Sequence, residues 1–200
     1  MDKRLSIAVT GGIGSGKSLV MKLINEFGFT TFSCDKIYAD LVYNKEYLSK
    51  IKEFFPFAID LNGKLDRKSL SEIVFKDKTQ LKKLNQIAHP LVFKILNEKI
   101  SENTGLIFTE VPLLFESESE NQFDFVIIIY RNIDDRISSV LQRDNLTKEQ
   151  IFQRIENQFD YEKKLIKLKN NKKYFIVENN GDIRNLSNKI NDIISKILNS

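Results

Sequence analysis

The feature that most constrains this 200-residue chain is Gly11-Gly12-Ile13-Gly14-Ser15-Gly16-Lys17-Ser18, which fits the pattern G-x-x-x-x-G-K-[ST]. An apolar run, Leu5–Thr10, precedes it, and a stretch with helical periodicity, Lys17–Phe27, follows it and stops before Gly28. Glycines let a backbone wrap closely around a phosphate chain, so that several N–H groups converge on its oxygens. Lys17 can reach the β- and γ-phosphates, the Ser18 hydroxyl can bind Mg²⁺, and the following helix presents its positive dipole end to the anion. A strand–loop–helix unit of this kind reads as a nucleoside triphosphate site. Its candidate binding residues are Gly12, Ile13, Gly14, Ser15, Gly16, Lys17, Ser18 and Leu19. Leu19 stands where many such loops carry a second hydroxyl, but its backbone N–H can still point at the α-phosphate.

Beyond the loop, short apolar runs alternate with longer helix-period segments, the signature of an α/β fold with a parallel sheet. The candidate strands are Leu5–Thr10, Phe29–Phe32, Leu106–Glu110, Asp124–Tyr130 and Tyr174–Glu178, each nearly continuous in apolar residues as for strands covered on both faces. Helices are expected at Lys17–Phe27 and Asp134–Arg143. Another should begin near Asn180-Gly181-Asp182, where Ile183, Leu186, Ile190, Ile193, Ile194 and Ile197 share one face. Between Asp35 and Gly105 the strand signal fades. Helical segments near Lys68–Phe75 and Leu81–Lys99 suggest an insertion over about residues 36–104, and polar, charged sequence over 143–172 suggests a second mobile piece. With 42% hydrophobic residues, one core is possible without staples, and a single cysteine, Cys34, excludes an internal disulfide framework.

A phosphate cradle is shared by GTPases, motors and small-molecule kinases, so other residues must discriminate. A GTPase should carry N-K-x-D. The nearest segment, Asn188-Lys189-Ile190-Asn191, lacks the carboxylate and lies in the amphipathic C-terminal helix, and Asp60-Leu61-Asn62-Gly63 reads as a turn. A motor needs more than one compact domain. A kinase needs an acid to take the acceptor's proton and cations over the moving phosphoryl group. Asp35 follows the second strand and Glu110 ends the third. The strand ends of a parallel sheet line one crevice, so Asp35 would face the phosphates and Glu110 could hold Mg²⁺. Capping the next helix is the plainer role for Asp35. Arg136, Arg143 and Arg154 fall on or near the mobile piece, and Arg143 is best placed to swing over the phosphates.

These residues resemble the dephospho-coenzyme A kinase family. The likeness begins with Thr10 through Ser18 and Asp35. It continues through Gly63-Lys64-Leu65-Asp66-Arg67, Leu70, Leu84-Asn85, Ile87 and His89-Pro90. It then takes in Pro112-Leu113-Leu114-Phe115-Glu116, Gln142-Arg143-Asp144, Arg154, Gln158 and Asn179-Asn180-Gly181. The resemblance implies a P-loop, nucleoside-monophosphate-kinase-like three-layer α/β/α fold with a five-stranded parallel sheet, a helical acceptor-binding insertion and a lid. It also implies transfer of the ATP γ-phosphoryl group to the ribose 3′-hydroxyl of dephospho-coenzyme A, with Mg²⁺. Asp35 is then the base, with Lys17 and Arg143 beside it in catalysis. Asn179 joins the ATP contacts, and Thr10, Asp35, Arg67, His89 and Pro112 face the acceptor. Ser18 and Glu110 serve the metal. His89, the only histidine, fits an orienting or packing role better than a catalytic one. Two departures stand out: Ser33, where the family often has an aspartate, and Lys173-Tyr174, where it often has Ala-Asp. A kinase for another nucleotide or nucleoside acceptor shares the cradle and is the alternative.

The pI of about 9.0 invites a nucleic-acid partner, but 31 basic against 27 acidic residues is a small, interspersed excess. The densest basic stretch, Lys163, Lys164, Lys167, Lys169, Lys172 and Lys173, carries no interleaved stacking aromatics and reads as a solvated helix face. Partners are therefore expected to be ATP and the acceptor, not nucleic acid or membrane. The N-terminal apolar run is too short for a signal peptide or a span, so the cytoplasm is the default. A monomer is expected, with a weak homo-oligomer as the alternative.

Overall fold

The computed structural model describes residues 4–74, 76–169 and 171–199, without the side chains of Ile166 and Lys167. In chain order the elements are β1 (Leu5–Thr10), α1 (Lys17–Glu26), β2 (Thr30–Ser33), α2 (Cys34–Asp40), α3 (Lys45–Phe54), α4 (Arg67–Val74) and α5 (Lys78–Ser101). They continue with β3 (Leu106–Glu110), β4 (Phe125–Tyr130), α6 (Ile133–Arg143), α7 (Lys148–Glu156), α8 (Tyr161–Leu168), β5 (Tyr174–Glu178) and α9 (Ile183–Leu198). The chain divides into two compact units, Cys34–Glu102 and the remainder.

The larger unit holds one five-stranded sheet in the order β2-β3-β1-β4-β5, with every pair parallel. Its central strands, β1, β3 and β4, are buried along almost their whole length, which is why they read as continuous apolar runs. The edge strand β2 differs. It runs Thr30–Ser33 rather than Phe29–Phe32 and is only half-buried, because an edge strand needs less apolar cover than a central one. Ile7, Val9, Phe108, Ile127, Ile129 and Val177 pack with Val20 and Ile24 of α1 and Leu186, Ile190, Ile194 and Ile197 of α9. Each such side chain taken fully out of water contributes roughly 1.5–3 kcal/mol. Asp182 caps α9 by accepting from the Asn185 N–H at 2.8 Å, at the start expected from its turn chemistry. Register sets the mouth of the sheet: Glu110 pairs with Val9 on one side and Ser33 on the other, so the ends of β1, β2 and β3 lie level.

The smaller unit is helical. Helices α2, α3 and α4 pack on α5, around buried Tyr47, Ile51, Leu70, Leu84, Ile87, Ala88 and Leu91. Sequence periodicity points to segments near α4 and α5; α2 has only seven residues, whereas α3 carries Tyr47, Leu48, Ile51 and Phe54 at helical spacing, a legible signal missing from the expected helices. Phe75, the expected end of the first segment, lies outside the described residues. Side-chain caps start these helices: Asn44 accepts from the Tyr47 N–H at 2.9 Å, and Asp77 from the Thr79 N–H at 2.8 Å. Asp66 takes the Ser69 hydroxyl at 2.6 Å and the Lys68 and Ser69 N–H groups at the start of α4. These bonds, the Ser69 hydroxyl's first, hold its carboxyl below the usual range. Asp60-Leu61-Asn62-Gly63 is a turn, with the Asp60 carboxylate accepting from the Asn62 and Lys64 N–H groups. Helix α5 runs through Pro90 without a break. His89 beside it is half-buried, and burial pushes its imidazole below the ordinary value.

Candidate active site

The glycine loop follows from how tightly its neighbours approach. Gly14 and Gly16 have φ of 76° and 95°, a region that side chains with a Cβ rarely enter. A Cβ on Gly16 would strike the Asn179 side-chain amide, and one on Gly12 would strike the Arg136 guanidinium. Asn179 sits just beyond β5, fully enough buried to act as structure, and its Nδ2 donates to the Ser15 carbonyl at 2.8 Å. The Ser15 hydroxyl is 1% exposed and has no hydrogen-bond partner among the described residues. A buried orphan hydroxyl is costly, and this one lies inside the loop.

Lys17 opens α1 and folds back over the loop, donating from Nζ to the Gly11 carbonyl at 2.8 Å and the Gly12 carbonyl at 3.2 Å. One residue on, the exposed Ser18 hydroxyl donates to Glu110 Oε1 at 3.1 Å. That contact joins the start of α1 to the end of β3, so the two residues expected to serve a metal are brought together. Leu19 is 37% exposed on the same turn. Thr10 is fully buried, with its hydroxyl 3.4 Å from the Tyr161 hydroxyl, which burial pushes well above the ordinary phenol value.

Arg143, the last residue of α6, is exposed and bound bidentately to Asp144, with Nε and one terminal nitrogen each donating at 2.9 Å. That hydrogen-bonded partner raises the guanidinium's pKa further, and the nearby Glu110 adds to the effect. An exposed pair of this kind contributes little to stability, so exchanging Asp144 for phosphate oxygens costs little. Pro112 is half-buried in the segment after β3. There Phe115 stacks on Phe159 at 4.4 Å between centroids, and Glu116 Oε1 accepts the Phe159 N–H at 2.7 Å. In the helical unit, Asp35 is exposed in the first turn of α2, two residues past the Ser33 that registers with Glu110. Arg67 donates to the Ala39 carbonyl at 2.6 Å.

The 143–172 segment forms α7 and α8. Of the lysine stretch, Lys163 pairs with Asp160 at 3.2 Å and Lys164 lies over the Phe159 ring at 4.4 Å; the Lys167 side chain is outside the described residues. Two contacts were not foreseen. Gln158 Oε1 accepts the Ile13 N–H at 2.7 Å, and Arg136, only 4% exposed, donates from Nε to the Ile13 carbonyl at 2.9 Å. A signal for the second existed: Arg136 shares its helix face with the apolar Ile137 and Val140, an unusual place for a charge.

A sheet of this order, with a glycine cradle leaving its central strand for a helix and a second, helical unit inserted after β2, defines a P-loop kinase. Comparison with known proteins narrows the class. Residues 5–185 match the Dephospho-CoA kinase (CoaE) family. A Dephospho-CoA kinase from Fusobacterium nucleatum is 36% identical over 186 residues, spanning 92% of this chain and 94% of its own. The crystal structure of TT1252 from Thermus thermophilus superposes with a TM-score of 0.81 at 31% identity, covering 98% of both chains. Dephospho-CoA kinase from Campylobacter jejuni gives 0.67 at 33% identity over 97% of both. The chain belongs to the dephospho-CoA kinase family.

Proposed function

We propose that this chain transfers the γ-phosphoryl group of ATP to the ribose 3′-hydroxyl of dephospho-CoA, yielding CoA and ADP. The observation that carries the reading is a family match running through the glycine loop and the helical unit alike, residues 5–185. The loop amides and Lys17 take the triphosphate, and Asn179 holds the loop by its Ser15 carbonyl. The Asp35 carboxylate accepts the 3′-hydroxyl proton as the oxygen bonds to the γ-phosphorus. The bond from that phosphorus to the β–γ bridging oxygen breaks, and ADP leaves. Arg143, released from Asp144, neutralises charge on the moving group as the 143–172 lid closes. Residues 34–102 form the acceptor-binding unit, with Arg67 and His89 directed to the acceptor; Pro112 frames the end of β3 and Thr10 the end of β1.

The oxygen donors of Ser18 and Glu110 are of the hard type that Mg²⁺ takes, and they already lie 3.1 Å apart. Among the described residues no group of three or more His, Cys, Asp or Glu could hold a metal alone, so phosphate oxygens and water would complete its shell. When bound, Mg²⁺ supplies neutralisation of charge on the β- and γ-phosphates. No helix among the described residues is long and apolar enough to cross a membrane, and a single, buried cysteine, Cys34, suits a reducing cytoplasm.

The test uses ATP labelled in its γ-phosphate. The label is expected at the ribose 3′-oxygen of dephospho-CoA, and an acceptor analogue lacking that hydroxyl is expected to take none. Label at another position, or transfer to the 3′-deoxy analogue, would contradict the reading.

A further inference from the structure

Ile13, at the apex of the glycine loop, is gripped by every group it has. Its N–H donates to Gln158 Oε1, on the turn between α7 and α8, at 2.7 Å. Its carbonyl accepts from Arg136 Nε, in α6, at 2.9 Å. Its side chain packs against the small cluster of Ile137, Val140 and Ile151, from α6 and α7. The backbone on either side is just as closely engaged. A Cβ on Gly12 would run into the Arg136 guanidinium, and one on Gly14 would meet the Arg136 carbonyl oxygen. The guanidinium thus leaves no room for a side chain at Gly12, and the backbone of the same turn of α6 leaves none at Gly14, before any phosphate arrives.

Arg136 is a costly choice for that position. It is 4% exposed, and burying a guanidinium is unfavourable unless its donors and charge are matched. The matching is built in. Glu162, in α8, lies 3.7 Å from Arg136 Nη1 and is fixed in turn by the Tyr130 hydroxyl, which donates to its Oε2 at 2.6 Å from the end of β4. An apolar side chain could fill the same space, but it could neither hold the Ile13 carbonyl nor place a positive charge against the loop.

We infer that Arg136 and Gln158 form a clamp on the two peptide groups flanking Ile13 that sets the shape of the glycine loop, making both positioning residues for the nucleotide phosphates. The inference rests on the reading that this loop binds ATP. It gives α6, α7 and α8 a task besides closing over the substrate: they hold the cradle in its binding shape. The Ile13 N–H belongs to the Gly12–Ile13 peptide and its carbonyl to the Ile13–Gly14 peptide, so both peptide planes flanking Ile13 are held and neighbouring amides meet an anion already aligned. The preorganisation is what affinity gains. The clamp also leaves the Ile13 N–H committed to Gln158, so the phosphate contacts fall to the other amides of the loop.

The test measures ADP and dephospho-CoA affinity by calorimetry, and KM for both substrates, in wild type, Arg136→Met, Arg136→Lys, Gln158→Ala and the Arg136→Met/Gln158→Ala double variant. Arg136→Met and Gln158→Ala are each expected to weaken ADP binding by about five- to tenfold, the scale of one lost hydrogen bond to a preorganised group. KM for ATP should rise in step and that for dephospho-CoA should not. Arg136→Lys should recover part of the loss by keeping the charge. The double variant should lose less than the product of the two singles, because both hold the same residue of the loop. Unchanged ADP affinity in Gln158→Ala, whatever its melting temperature, would overturn the clamp, and that half-buried site keeps the test decisive should Arg136→Met not fold. A wild type that binds no ADP would instead overturn the ATP reading beneath it.

Discussion

Lys17→Ala is expected to lower kcat by about a thousandfold, the range found when a group that stabilises transition-state charge is removed. The structure shows why the loss should be large and local. The ammonium is held over the loop by the Gly11 and Gly12 carbonyls, at 2.8 and 3.2 Å. Its position is therefore set before the nucleotide arrives, and little side-chain entropy remains to be lost on binding. In phosphoryl transfer the protein does little covalent chemistry, so positioning and charge stabilisation make up most of the catalysis. The side chain is only half-buried at the first position of α1 and lies outside the core cluster that α1 joins. Its removal should leave the melting temperature close to that of wild type. Steady-state kinetics with both substrates saturating checks the prediction, and near-normal turnover would remove Lys17 from the mechanism.

Asp35→Asn is expected to lower kcat by about 10²–10⁴-fold, the usual worth of a positioned general base, while KM for ATP moves little. Asparagine keeps the shape and the hydrogen-bonding capacity suited to a first helical turn but cannot take the proton. Asp35 is exposed at the start of α2, so the change opens no cavity. The plainer role, in which the carboxylate only favours the N-terminus of α2, predicts a different result: a slightly lower melting temperature with kinetics like wild type. The split between kcat and KM therefore separates chemistry from capping.

The central strands and the cradle were legible because their physics is local. Leu5–Thr10 and Leu106–Glu110 fall where short apolar runs placed them. The loop's glycines, lysine and serine stand at fixed spacing between a strand and a helix. Ser18 reads as a metal ligand from the loop motif and Glu110 from its place at the end of a strand, each from local pattern alone, and their side chains lie 3.1 Å apart. Less was readable where structure depends on distant partners. Helix α2 is too short to announce itself by periodicity, although α3, with Tyr47, Leu48, Ile51 and Phe54, was readable. The contact from Arg136 to Ile13 spans 123 positions and that from Gln158 spans 145, distances over which periodicity carries no signal. Ile13 reads in sequence as a variable position of a phosphate motif. Only the fold shows that its side chain belongs to the α6–α7 cluster. Arg143 illustrates the converse: its place at the end of α6 was foreseen, but its bidentate hold on Asp144 follows from rotamers that no spacing encodes.

The most direct test of the central claim is ADP release with Mg-ATP against dephospho-CoA, AMP, CMP, GMP, adenosine and single-stranded DNA, each offered as sole acceptor. The account predicts turnover confined to dephospho-CoA. Faster turnover with a nucleoside monophosphate than with dephospho-CoA would leave the cradle in place but contradict the assigned acceptor.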